Sequence, residues 1–131
     1  PTVKKNSDKN NNNNNHEQRE KKKSTRPVVT ATAWAPAGLR LKHLNDQLWE
    51  KGYALFNTGM IQEQSLAGVI STAVHGTGIA NTAINERVVR IDVVLANGTL
   101  ATFSKTSHPH IFKHARMHLG LFGIVVGVEF E

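Results

Sequence analysis

Polar and apolar positions along the chain fall into one stretch without a period and several with one. Residues 1–27 carry an asparagine run at positions 10–15 among Lys, Glu and Gln. So little apolar surface cannot offset the entropy of ordering, and a disordered low-complexity segment is expected there. From Val28 the run Val28-Val29-Thr30-Ala31-Thr32-Ala33-Trp34 alternates and is rich in β-branched residues until Pro36 and Gly38 interrupt it. That pattern predicts a strand ending in a turn. Residues 39–52 set Leu41, Leu44, Leu48 and Trp49 on one helical face with Gly52 beyond them, which predicts an amphipathic helix of roughly three turns and its stop signal.

Residues 55–59 read as a short extended piece, and residues 64–74 have the small-residue density of a tightly packed helix. The Val/Ile-rich stretch 88–96 predicts a strand. Asn97-Gly98 after it predicts a hairpin, because a type I′ turn needs positive φ at both central residues, and residues 99–103 supply the returning strand. Asn97-Gly98-Thr99 also fits a glycosylation sequon, but the turn already accounts for it. Ile111, Phe112, Ala115 and Leu119 have helical spacing and Gly120 closes that helix. Residues 123–130 read as a buried strand that runs to the end of the sequence. Beginning at Pro1 and stopping inside a strand, the chain is expected to be a segment of a longer protein.

Charge alters this picture less than its sum suggests. The net charge is +6, yet half of the 16 basic residues lie in residues 1–27, so that segment carries +5 and the remainder +1. Basicity confined to a low-complexity arm speaks against a nucleic-acid surface on the folded part. The sequence has no cysteine, which excludes disulfides, thiolate metal sites and cysteine nucleophiles. No apolar run approaches the ~20 residues of a membrane-spanning helix.

The chemistry concentrates in residues 65–78, Ser-Leu-Ala-Gly-Val-Ile-Ser-Thr-Ala-Val-His-Gly-Thr-Gly. Glycine lets main-chain N–H groups approach an anion, and Ser and Thr add short donors. The same residues also suit a buried helix turn followed by a glycine-rich loop, and composition leaves both readings open. His108, His110, His114 and His118 raise a metal site, three of them at i, i+4, i+8 of the predicted helix. No Asp, Glu or Cys joins them in that stretch, so no metal is expected. Gly76-Thr77-Gly78 is too short for a dinucleotide fingerprint, and Ser65 lacks a nucleophile elbow.

Four blocks in one order carry a family resemblance over residues 28–131. They are Ala37-Gly38-Leu39-Arg40-Leu41-Lys42-His43-Leu44-Asn45, Gly52-Tyr53-Ala54-Leu55-Phe56-Asn57-Thr58-Gly59, residues 64–78, and His118-Leu119-Gly120-Leu121-Phe122-Gly123-Ile124-Val125. The chain resembles the FAD-binding PCMH-type domain of the vanillyl-alcohol oxidase flavoproteins, and is most similar to the aldonolactone oxidase branch. The resemblance implies an α+β fold, an antiparallel sheet flanked by helices, with residues 28–131 forming the second part of that domain. It implies FAD as cofactor and would place Ser65, Gly68, Ser71, Thr72, His75 and Gly76 along the pyrophosphate and flavin, with Ile124 and Val125 near the adenosine end. His75 has two roles open, a hydrogen bond near the flavin or a structural one.

Two departures qualify this. Val74 stands where relatives usually carry Thr, which removes one hydroxyl, and the family's "G-x-G-H-S" loop is absent from the sequence. The expectation is therefore a fragment of an FAD-dependent oxidoreductase whose parent oxidises a small sugar-derived substrate, a lactone or polyol, with oxygen or another acceptor. No catalytic residue is assigned, and the isolated segment is expected to be inactive and to bind FAD weakly. Two alternatives stand beside it: a non-catalytic module whose basic arm binds an acidic partner, and a segment that folds poorly alone because its sheet edge is exposed.

Overall fold

β-branched runs become strands and the leucine repeats become helices in the computed structural model, which describes residues 31–131. The expected disordered segment 1–27 and the start of the first predicted strand, residues 28–30, lie outside the described residues. The order is β1 (Ala33–Pro36), α1 (Leu41–Glu50), α2 (Leu66–Ser71), a 3-10 turn (Ile84–Arg87), β2 (Val88–Val94), β3 (Leu100–Ser104), α3 (Pro109–Ala115) and β4 (Ile124–Phe130). The strands form one sheet in the order β1-β4-β2-β3 with every neighbouring pair antiparallel. This is the α+β architecture expected, with the last strand inserted between the first and second.

One face of the sheet is covered. Leu41 and Leu44 of α1, Leu66, Val69 and Ile70 of α2, and Phe112 and Ala115 of α3 pack with Ile91, Val93, Val128 and Phe130. Side chains of a strand alternate between faces, so the intervening residues point the other way. There Asp92 is buried and accepts from Trp34 Nε1 at 3.3 Å, from Arg90 Nε and Nη2 at 3.0 Å each, and from Thr102 Oγ1 at 2.7 Å. Trp34 reaches it from β1 across β4 because Gly127 has no side chain: a Cβ there would lie 2.6 Å from the indole Cζ2. Burial alone would raise the Asp92 carboxyl, but the hydrogen bonds from Thr102, Arg90 and Trp34 and the charge of Arg90 hold it below the usual carboxylate range.

Four details differ from the sequence expectations. Trp49 is 77% exposed; at about 100° per residue it falls some 80° off the stripe of Leu41, Leu44 and Leu48. The helix expected over residues 64–74 is only Leu66–Ser71, since Ala73 turns into the left-handed region with φ 53°. Val74 N then donates to Val69 O at 2.9 Å and Ala73 N to Ile70 O at 3.1 Å, the paired bonds of a Schellman stop.

The hairpin at 95–99 is real, but Gly98 alone has positive φ, 81°. Gly98 N donates to Leu95 O and Leu95 N to Thr99 O, both at 2.9 Å, which is a three-residue loop with a bulge glycine instead of a type I′ turn. The last helix stops at Ala115, so His118 is not on it and the i, i+4, i+8 histidine row is not formed.

Candidate functional site

Ser65 opens α2 as its N-cap, its Oγ accepting from Gly68 N at 3.4 Å. Apolar Leu66, Val69 and Ile70 turn inward, which leaves Gly68 and Thr72, four residues apart, on the exposed side. Thr72 Oγ1 donates back to Gly68 O at 2.8 Å. Ser71 is half-buried, and its Oγ lies 3.0 Å from His118 Nε2.

Beyond the helix the chain doubles back. His75 is exposed, with Nδ1 2.9 Å from Gly76 O; a carbonyl oxygen only accepts, so Nδ1 carries the proton and the outward Nε2 is the free ring atom. Gly76 lies against the 57–58 segment, and a Cβ on it would stand within 2.8 Å of Thr58 O. Its lack of a side chain is used by the protein's own packing. Asn57 fastens that segment by donating to Thr82 O at 2.9 Å.

Ile124 is 71% exposed at the start of β4, whereas Val125 packs against the core. Ala67 N donates to Ala37 O at 2.9 Å and Ala37 N to Val126 O at 3.0 Å, so α2 is bonded through Ala37 to the first half of β4. Leu119 N donates to Ser71 O at 3.4 Å, which brings residues 118–121 against the other end of α2. Ser65, Gly68, Ser71 and Thr72 thus share one helix, bonded through Ala37 to Val126 of β4, while His75 and Gly76 stand apart on the following loop.

Sequence reasoning missed His118 as a partner of this group. It is buried, Gly120 N donates to its Nδ1 at 3.0 Å, and burial pushes the imidazole below its ordinary value. The His-Leu-Gly block marked the residue, but nothing in the sequence ties position 118 to position 71.

Electrostatically the segment is bare. No acidic or basic residue other than His75 lies between Glu63 and Glu86, and Met60, Ile79, Leu119 and Leu121 are exposed nearby in the sequence or on the adjoining turn. A cleft of about 220 Å³ lies elsewhere, between Leu48, Tyr53, Phe56, Arg87 and Phe130, and no expected site residue lines it. The basic arm of the alternative reading lies outside the described residues.

Comparison with known proteins puts these residues in context. A family model described as FAD binding domain matches residues 20–104. D-arabinono-1,4-lactone oxidase of Yarrowia lipolytica is 39% identical over 90 residues, 69% of this chain and 17% of that one. L-gulonolactone oxidase of Bos taurus is 36% identical over 95 residues, 72% of this chain and 22% of that one. Among solved structures, a chitooligosaccharide oxidase superposes with TM-score 0.70 at 28% identity, covering 76% of this chain and 21% of its own. The chain spans about a fifth of the length of the curated relatives it matches.

Proposed function

Because the chain belongs to the FAD-binding domain family, in its aldonolactone oxidase branch, we propose that it forms one wall of the FAD site of an oxidoreductase acting on a small sugar-derived substrate. The substrate class is a lactone or polyol, a reading supported by the names of the lactone oxidases it resembles. Oxygen or another acceptor takes the electrons.

The observation that carries this reading is the uncharged exposed side of α2. An anionic pyrophosphate meets no carboxylate between Glu63 and Glu86, finds a hydroxyl group at Ser71, and can approach the main chain where Gly68 has no side chain. A Cβ at Gly68 would touch only Ser65 Oγ, at 3.2 Å, so the protein itself leaves that space unused. Exposed Leu119 and Leu121 on the adjoining turn suit a flat, largely apolar ring. The residues present therefore fit the cofactor.

In this reading Ser65, Gly68 and Ser71 hold the pyrophosphate side with Thr72 closing the helix beside them through its bond to Gly68 O, His75 and the Gly76 main chain stand toward the flavin, and Ile124 with the main chain at Val125 meets the adenosine. FAD supplies the hydride acceptor when bound. The chain's own residues bind and orient it and keep water from its apolar face.

Gly68→Leu tests this directly. A helix gains up to about 1 kcal/mol when an exposed glycine is replaced by a good helix former, while the Cβ crowds the Ser65 cap hydroxyl at 3.2 Å, so thermal stability should change by no more than about 1 kcal/mol. FAD affinity, read by flavin fluorescence, should fall at least tenfold. Unchanged affinity would remove α2 from the site.

A further inference from the structure

Ser71 and Thr72 close the same helix, yet their hydroxyl groups are in different states. Thr72 Oγ1 donates to Gly68 O at 2.8 Å, so its proton is used inside α2. The direction of the Ser71 bond to His118, 3.0 Å long, is set on the far side of the imidazole. Gly120 N–H donates to His118 Nδ1 at 3.0 Å. A ring nitrogen that accepts carries no proton, so the neutral ring is protonated on Nε2. His118 is therefore the donor and Ser71 Oγ the acceptor. No acceptor for the Ser71 proton lies among the described residues, and a hydroxyl that has accepted one bond is left as a donor to whatever meets it.

The turn that delivers His118 is constrained as well. Leu119 and Gly120 have φ of 51° and 84°, and Leu121 N donates to His118 O at 2.8 Å, the φ pattern and closing bond of a type I′ turn. Leucine enters the left-handed region only where its surroundings impose it. Here Leu119 N is spent on Ser71 O, at 3.4 Å. The turn thus grips Ser71 twice, by main chain and by ring, from a histidine that is only 5% exposed.

We propose that the His118-Leu119-Gly120 turn is a positioning device for FAD recognition: it holds the Ser71 hydroxyl as a one-way donor toward an acceptor oxygen of the bound dinucleotide. His118 touches no ligand and acts through Ser71, while neighbouring Thr72 offers only lone pairs. The inference rests on the FAD reading above and goes beyond it by assigning the direction of each proton and a residue that sets it.

A double-mutant cycle in FAD affinity tests it, with the full chain and FAD as the probe. His118→Asn keeps an acceptor for Gly120 N–H but cannot reach Ser71, whereas His118→Gln can still donate to Ser71. Ser71→Ala should raise Kd about tenfold, the size of one hydrogen bond to a charged group. His118→Asn should raise Kd severalfold in the native background and leave it unchanged when combined with Ser71→Ala, and His118→Gln should restore much of the loss. Long-range 1H–15N spectra should show the neutral, Nε2-protonated ring.

An equal effect of His118→Asn in both backgrounds, or an Nδ1-protonated ring, overturns the positioning role. FAD binding that is indifferent to Ser71→Ala overturns this inference alone. Absence of FAD binding by the unaltered chain overturns the site reading and this inference together.

Discussion

The carboxylate of Asp92 accepts from Trp34 on β1, Arg90 on its own strand and Thr102 on β3, so one side chain ties together strands that are not all neighbours. Its pKa is lowered in the folded state. The folded form then binds fewer protons than the unfolded chain just below the usual carboxylate range, so this stability is present above that range and is lost as pH falls through the lower folded value. His118, also lowered, acts in the same direction at higher pH: its contribution is complete above about 6.5 and declines as the unfolded chain protonates first. Urea unfolding across pH should therefore show stability falling on acidification in two ranges. Asp92→Asn should lower neutral-pH stability by about 2 kcal/mol, the cost of losing charge-assisted bonds at a buried group, and should flatten the lower range. Ser71 and Thr72 stood as equivalent candidates in the sequence because both are short hydroxyls. Only the fold separates them, since one meets a carbonyl four residues back and the other a ring 47 residues ahead.

The elements were legible wherever one period ran unbroken and their ends were not. Strands β2 and β4 follow their Val/Ile runs, and α1 follows Leu41, Leu44 and Leu48. The two later helices are shorter than their spacing suggests: α2 is stopped by left-handed Ala73, whereas α3 closes at Arg116, still right-handed, with a tightened bond from Met117 N to His114 O before left-handed Leu119 turns the chain. Neighbours impose those conformations, so no local residue signalled them. The positive-φ pair expected at Asn97-Gly98 occurs instead at Leu119-Gly120. Ala73→Gly should raise stability by about 0.5–1 kcal/mol in thermal or urea unfolding, because glycine adopts the left-handed cap without a Cβ penalty. A loss would show that the Ala73 methyl matters more to packing than its backbone does to strain.

Across the molecule, the sheet has one covered face, and its edge strands β1 and β3 each pair on one side among the described residues. The expected site residues lie on α2, the loop after it and the start of β4, an open wall and not an enclosed pocket. An open wall offers a dinucleotide fewer contacts than an enclosing cleft, which implies weak binding by this chain. How much of the site could be read from sequence follows the same division. The four blocks pointed to FAD and to residues 65–78, while the packing of Gly76 against Thr58, the packing of half-buried Val125 on the core and the His118 clamp all depend on contacts between distant segments.

The most direct test is a titration of the 15N-labelled chain with FAD, followed at each backbone amide. Saturable shifts should gather at residues 65–78 and 124–125, with an apparent Kd weaker than about 1 μM. Shifts confined to the cleft between Tyr53, Phe56 and Phe130, or no saturable shift at residues 65–78, would contradict the assignment of that wall to FAD.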